Sequence, residues 1–233
     1  MAFRKPLLLV LSMATLLLLS IAISAGLAGA KTDSNNSTAT NSKSKKKWAV
    51  LDGFRSAKFG MNENKVKKAI TKDFKIPNRK IKKTTNPTEQ TISLSISVPK
   101  LFGHGGPATI GYVFGHQSKK LIQVNIIWGL GTSNKNVGGQ TVVDAANLLR
   151  TYFAKKKYKD DGSLVINAKM DETKIMVFRG TDQKGRMAVL VLDNPKPLKD
   201  ESAKDASKRI SLQLSYILNP HKPDILTIEE GMF

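Results

Sequence analysis

Three histidines are the side chains of this sequence best suited to acid–base or metal chemistry, and their surroundings favour neither. His104 lies in the glycine-rich stretch GHGGP, while His116 follows a glycine and His221 follows a proline. The HExxH zinc motif is absent from the sequence. The GxSxG nucleophile elbow that a hydrolase needs beside an oxyanion loop is absent as well. We therefore expect a turn histidine flanked by glycine, such as His104, to be an exposed loop residue, and we predict no catalytic residue.

The lack of cysteine narrows the chemistry further. It excludes thiolate catalysis, disulfide bonds and cysteine-ligated metal sites. Two acidic stretches remain, Asp160-Asp161-Gly162 and Asp171-Glu172. Short acidic pairs of this kind are typical of tight turns, so we interpret both as turns, with a weak calcium site as the alternative. The sequence predicts no cofactor, and a hydrolase is the less favoured alternative.

Lysine is the residue type that most suggests a ligand. The chain has 38 Lys and Arg residues against 18 Asp and Glu, a net charge of +20. Such a charge attracts anionic surfaces, although a basic composition can also serve solubility alone. The positions that could contact an anionic lipid or polysaccharide are Lys45, Lys46, Lys47, Lys67, Lys68, Lys72, Lys155, Lys156 and Lys157.

The sequence disfavours nucleic acid as a partner despite this charge. Tyr112, Phe114, Trp128 and Phe178 stand within apolar alternation, which predicts core positions and not stacking platforms for bases. The sequence shows no helix-turn-helix, RNA-recognition or zinc-finger signature. Export would also separate the protein from most nucleic acid.

Export is indicated by the first 30 residues. Arg4 and Lys5 precede an uncharged run from Pro6 to Ala30, which ends in the small residues Ala28-Gly29-Ala30. A basic start, an apolar stretch and a small-residue ending are typical of a secretory signal peptide. We predict a signal peptide over residues 1–30 and a periplasmic or secreted protein. In the alternative, residues 6–30 form an uncleaved inner-membrane anchor with the rest outside the cytoplasm.

Two similar units are expected after a linker. Residues 31–47 are rich in Ser, Thr, Asn and Lys, which predicts a disordered segment. The first unit covers residues 48–129. Asn62 is placed to cap a helix whose apolar stripe is Val66, Ala69, Ile70 and Phe74. Three alternating stretches after Thr91 then predict an antiparallel three-stranded meander.

The second unit covers residues 139–219 and is followed by a C-terminal tail, residues 220–233. Thr141 is predicted to cap its helix, and three or four strands follow between Leu164 and Leu218. Each unit thus has the order helix then antiparallel strands. We predict an α+β fold of two tandem helix-plus-antiparallel-sheet units.

A short motif resembles a known class of domain. The stretch FGMNENKVKKAI, Phe59–Ile70, resembles the G-M-[ST]-x-x-[EQ]-V-x-x-[LI] opening of small bacterial envelope domains. These include the BamE-type outer-membrane assembly lipoproteins and the β-lactamase inhibitor protein family, which has two tandem helix-plus-sheet units. The chain departs from them at Asn62, where Ser or Thr is usual, and it lacks a lipid-carrying cysteine and disulfides. The resemblance implies a binding or assembly module.

The expected function is therefore an exported, non-enzymatic binding or assembly module of the bacterial cell envelope. It would act through protein–protein contact, with a face or an edge of its sheet meeting an envelope protein. The alternative is a basic protein that binds lipid headgroups or polysaccharide. Salt separates the two, because it weakens exposed ionic contacts much more than a buried protein interface.

Export leads to the first testable prediction. If the signal peptide is removed after Ala30, mass spectrometry of the mature protein will find Lys31 as its N-terminal residue. Cleavage follows the small residues that a signal peptidase requires. An intact Met1 in the membrane fraction would instead show that residues 6–30 remain as an anchor.

Overall fold

The computed structural model describes residues 46–103, 105–129, 132 and 138–227. The predicted signal peptide, residues 31–45 of the predicted linker, His104 and the last six residues of the tail lie outside this range. The span Lys46–Phe233 clusters as one compact unit, and every residue of its hydrophobic core lies after Lys47. None of its described helices is long and apolar enough to cross a membrane.

Three α-helices, a short 3-10 helix at Asn78–Lys80 and ten strands make up the described fold. The helices are α1 Glu63–Phe74, α2 Gly139–Ala154 and α3 Ala203–Ser207. The strands are β1 Gly53–Phe54, β2 Ala57–Lys58, β3 Lys82–Thr85, β4 Ile92–Val98, β5 Ala108–Phe114, β6 Leu121–Gly129, β7 Val165–Lys169, β8 Lys174–Thr181, β9 Met187–Asp193 and β10 Ser211–Ile217.

Eight of these strands form one antiparallel sheet. Its order is β3-β4-β5-β6-β10-β9-β8-β7, while β1 and β2 form a small separate hairpin. Helix α1 precedes β3–β6 and α2 precedes β7–β10, so each half has the order helix then four strands. The last strands of the two halves, β6 and β10, pair at the centre of the sheet. The prediction of an α+β fold is confirmed.

The first strand of each half forms an outer edge of this sheet. Strand β3, with the sequence Lys-Lys-Thr-Thr, was missed by the predicted three-stranded meander. All four of its side chains are exposed, so it carries none of the apolar alternation by which strands are recognised. Charged residues on an edge strand oppose pairing with another chain.

Helices α1 and α2 share a single hydrophobic core on one face of the sheet. Within it the ring of Phe153, from α2, stacks on that of Phe178, from β8, at 5.0 Å between centroids. The largest fully buried side chains include Trp128, Tyr112, Phe114 and Phe178. The prediction that these four aromatic residues belong to the core is confirmed.

The two helix starts differ in how well the sequence predicts them. The Asn62 side chain accepts a hydrogen bond from the backbone N–H of Lys65 at 3.0 Å, as predicted for an N-cap. The predicted cap at Thr141 is wrong, since α2 already begins at Gly139. A Cβ on Gly139 would lie 2.5 Å from the Cδ1 atom of Ile210. This close tertiary packing of the first helical residue is invisible to a capping rule based on neighbours in sequence.

The apolar stripe of α1 also differs from its prediction at one position. Val66, Ala69 and Ile70 are buried, as the helical spacing predicts. Phe74 is only half-buried, and the guanidinium carbon of Arg55 lies 4.6 Å from the centre of its ring. Phe74 therefore contributes a cation–π contact at the end of the helix, and Ile70 is the better test of core packing.

Replacing Ile70 with Ala should lower the free energy of unfolding by about 2–5 kcal/mol, because it empties a fully buried site. Urea denaturation of both proteins would measure the difference. Lys68→Ala is the matched control, since Lys68 is exposed on the same helix, and it should change the free energy by less than about 0.5 kcal/mol. A loss for Ile70→Ala as small as that of the control would contradict the packing described here.

Candidate binding surfaces

The segment that leads into the fold is attached to the end of α2. The backbone N–H of Lys157 donates to the carbonyl of Lys47, and that of Ala49 donates to the carbonyl of Lys157, both at 2.9 Å. Trp48 and Lys157 thus form a short parallel bridge. The Lys46 ammonium donates to the carbonyl of Ala154 at 3.0 Å, near the helix terminus where a cation is favoured.

This attachment brings together five of the nine lysines predicted to contact an anionic surface, and it adds two aromatic side chains. The Trp48 ring is 37% exposed, and the Lys157 ammonium lies 4.5 Å from its centre. The Tyr152 ring is 57% exposed, with the Lys156 ammonium at 6.0 Å. We call this surface the basic–aromatic patch; its members are Lys46, Lys47, Trp48, Tyr152, Lys155, Lys156 and Lys157.

Of the other four predicted lysines, the three that the structure describes do not join the patch. Lys45 lies outside the described residues. Lys67 pairs with Glu63 at 2.6 Å, and hydrogen bonds from Lys67 and Lys83 hold the pKa of Glu63 below its ordinary value. Lys68 and Lys72 are exposed on α1. The basic residues of α1 thus form a separate surface whose charge is partly neutralised.

Asp182 also holds the leading segment in place. Its side chain is 1% exposed and forms an ion pair with Arg186 at 2.6 Å. The same carboxylate accepts a hydrogen bond from the backbone N–H of Leu51 at 3.0 Å. Burial raises the pKa of Asp182, but the hydrogen bonds from Arg186, Leu51 and Lys184 outweigh burial and leave the pKa below its ordinary value. The buried Asp182 carboxylate therefore links Leu51, which follows the patch residue Trp48 in the chain, to the β8–β9 turn.

A second surface is an open groove between α2 and the edge strand β7. Its volume is about 490 Å³. Val143, Asn147 and Arg150 line it from the helix, and Asn167 and Ile175 line it from the strands. The groove exists because α2 packs over β8, β9 and β10 and leaves the outermost strand uncovered.

Apolar side chains remain exposed along this edge. Ile166 is 47% exposed and pairs across the strands with Phe178, whose ring contacts α2. Ile175 is 38% exposed within the groove, and Leu164, just before β7, is 47% exposed. The sequence analysis missed this surface. The alternation of Leu164 and Ile166 indicates an apolar strand face, but not that the helix stops short of it.

The two acidic stretches act as turn residues. The Asp171 carboxylate accepts hydrogen bonds from the backbone N–H groups of Thr173 at 2.8 Å and Lys174 at 2.7 Å, and these bonds lower its pKa. Asp161 accepts from the N–H of Ser163 at 3.0 Å. Over the part of the chain that the structure describes, no group of three or more His, Asp or Glu side chains could hold a metal ion.

The histidines that the structure describes lie in connecting segments. His116 is in the β5–β6 turn, where its backbone N–H donates to the carbonyl of Asp224 at 2.8 Å. The Asp224 carboxylate also accepts the N–H groups of Gln117 and Ser118, which attaches the predicted C-terminal tail to that turn. His221 is exposed in the same tail. His104 lies outside the described residues.

Comparisons with known proteins return no relative. No family model, curated protein or solved structure matches the chain. The resemblance of Phe59–Ile70 to small envelope domains therefore stays a prediction, and the case for function rests on the surfaces described above.

The role of Asp182 can be tested by replacing it with Asn. Arg186 would lose its carboxylate partner, and removing one member of a buried ion pair costs about 3–5 kcal/mol. We expect a loss of that order in the free energy of unfolding at pH 7. Because the pKa of Asp182 is lowered by folding, its stabilisation is complete above the ordinary carboxyl pKa of about 4 and is lost as the pH falls below it.

Urea titrations at pH 7 and pH 3 would measure this dependence. The difference between the wild type and Asp182→Asn should narrow at pH 3, because the carboxyl group of the unfolded wild type is largely protonated there and folding must release that proton. Asp171→Asn is a suitable control, because that carboxylate is half exposed and its hydrogen bonds and ion pair go only to Thr173 and Lys174 of its own turn. An Asp182→Asn difference of equal size at both pH values would contradict the proposed ion pair.

Proposed function

We propose that this chain is an exported, non-enzymatic binding module of the bacterial cell envelope that recognises a protein partner. The observation that carries the proposal is the groove beside β7, where apolar side chains stay exposed next to a concave surface. Exposed apolar patches rimmed by polar residues are typical of protein interaction sites. Export is supported by the basic start, apolar run and small-residue ending of residues 1–30.

The chemistry of the groove favours binding over catalysis. Its charged members are Arg150, Lys169, Asp171 and Glu172, and its lining residues include no histidine. Asp171 already accepts the hydrogen bonds of its turn, and Glu172 forms an ion pair with Lys196. Both carboxylates therefore have structural partners. The Thr173 hydroxyl also donates to Asp171 at 3.2 Å, within the same turn, so this contact serves the turn.

The two edges of the sheet differ, and this difference favours the groove, and not the addition of a strand, as the mode of binding. Strand β3 at one edge exposes Lys82 and Lys83, which oppose strand addition. Strand β7 at the other edge exposes Ile166, but Asn167 adopts a left-handed conformation, φ 54°, and is skipped in the pairing with β8. This irregularity makes continuous pairing with a partner strand unfavourable. We therefore infer that apolar side chains of the partner insert between α2 and β7.

A second candidate, the binding of an anionic surface, is favoured by a different observation. The fold brings Lys46 and Lys47 beside Lys155, Lys156 and Lys157, although about 110 residues separate the two groups along the chain. The two functions use separate surfaces, so each can be tested without disturbing the other.

Site-specific photocrosslinking in envelope extracts would test the groove. Ile166 does not itself line the groove but is exposed on β7 next to Asn167, which does. A photoreactive residue at Ile166 should therefore give one discrete protein adduct that persists at about 0.5 M salt, since an apolar interface is little screened. The same residue placed at Leu198, which is 63% exposed outside the groove, is the matched control and should give no such adduct.

A charge within the groove provides the second arm of this test. Ile175→Asp should abolish the Ile166 adduct, because an unpaired carboxylate would have to be desolvated at the interface. Ile175 is already 38% exposed, so its replacement should leave the protein folded by circular dichroism. An adduct that survives Ile175→Asp, or one that forms equally well from position 198, would overturn the groove as the binding site.

A further inference from the structure

We propose that the basic–aromatic patch is a membrane-surface site that binds the headgroups of anionic lipids. The inference develops the second candidate function by naming its ligand, and it rests on the export proposed above and not on the groove. Three independent observations support it: the unpaired charge of the patch, the exposed aromatic side chains within it together with the exposed Val50 beside it, and its position along the chain.

The charge of the patch is not neutralised within the described part of the chain. Lys46, Lys47 and Lys155–Lys157 form no ion pair with any carboxylate that the structure describes. Elsewhere on the surface, lysines such as Lys83 and Lys196 do form such pairs. A cluster of unpaired basic side chains attracts the headgroups of anionic lipids.

The aromatic side chains favour a bilayer over a soluble polyanion as the ligand. Trp and Tyr are favoured at the boundary between headgroups and acyl chains, because each ring joins an apolar body to a polar atom. Trp48 and Tyr152 are exposed beside the ammonium groups, and Val50, two residues beyond Trp48, is 70% exposed. A dissolved polysaccharide or free phosphate would engage the lysines but would gain nothing from an exposed valine. A bilayer surface satisfies both kinds of side chain.

The position of the patch provides the third argument. Lys46 follows directly on residues 31–45, which connect it to the apolar run Pro6–Ala30. A link of about 15 residues reaches at most about 50 Å when extended. An uncleaved run in the bilayer would thus hold the patch close to the lipid surface and raise its effective concentration there. If the run is removed, the patch would provide a reversible attachment that depends on charge.

The test uses the form that begins at Lys31, which retains the compact unit Lys46–Phe233 and every residue of its core. Its two tryptophans differ in environment: Trp48 is 37% exposed and Trp128 is fully buried. The change in fluorescence on adding vesicles therefore reports Trp48. We expect a blue shift and binding with phosphatidylglycerol-containing vesicles at low salt. We expect neither with pure phosphatidylcholine vesicles, and binding should be lost steeply as salt rises.

Two matched variants distinguish the effect of the patch on vesicle binding from the effect of net charge. Lys155→Gln, Lys156→Gln and Lys157→Gln together should weaken vesicle binding by at least about tenfold. Lys72→Gln, Lys199→Gln and Lys204→Gln remove the same charge from exposed positions outside the patch, and should weaken it less than about twofold. Equal losses in the two variants, or no binding by the wild type, would overturn the proposal. Circular dichroism confirms that each variant is folded before it is compared.

Two further arms identify the source of the anion and separate this inference from the groove. Soluble glycerol phosphate should leave the emission of Trp48 unchanged; a response equal to that of vesicles would show a free-phosphate site instead of a membrane surface. The groove variant Ile175→Asp should bind vesicles like the wild type. The triple patch variant should likewise keep the protein adduct formed from position 166.

Discussion

The pairing of β6 with β10 is the constraint on which the rest of the structure depends. Seven residue pairs join them, from Gly129 with Ser211 to Gln123 with Ile217. Each half of the chain contributes only four strands and one long helix, and each would leave a long apolar edge exposed without the other. Joining the halves at their last strands buries this edge and unites both helices in one core.

Polar side chains help to set the register of this central pair. On the face away from the helices, the Ser215 hydroxyl donates to the Asn125 side-chain oxygen at 2.8 Å, and the Gln123 amide donates to the same oxygen at 2.7 Å. A slip of one residue would turn one set of these groups into the core beneath the helices and bring Trp128 or Leu212 out of it. The hydrogen bonds thus oppose a misregister that apolar alternation alone would penalise less strongly.

Both candidate surfaces follow from where this central pairing places the outer elements. The first strands of the two halves become the edges of the sheet, and α2 is held towards the middle, over β10, β9 and β8. The groove therefore lies between α2 and the edge strand β7. The C-terminal end of α2 receives the segment that begins at Lys46, and this contact creates the basic–aromatic patch. Neither surface belongs to a single local motif.

This origin explains how far the sequence could predict the molecule. Strands β4, β5 and β6 follow from apolar residues at alternate positions, and the cap at Asn62 follows from local hydrogen-bonding chemistry. The start of α2 does not follow from the local sequence, because the close packing of Gly139 on Ile210 determines it. Strand β3 does not follow either, because its position at the edge of the sheet leaves its side chains exposed and without apolar alternation. Lys46 and Lys47 belong by composition to the linker, yet they are bonded to residues more than 100 positions away.

The attachment of the leading segment has a mechanical consequence for a chain held by its N-terminus. Tension applied through residues 31–45 would act first on the backbone hydrogen bonds that Lys47 and Ala49 form with Lys157. It next meets the bond from Leu51 to the buried carboxylate of Asp182. The load therefore passes into α2 and the β8–β9 turn of the second half before it reaches the hairpin and helix of the first. Under such tension the second half of the chain would be loaded before the first.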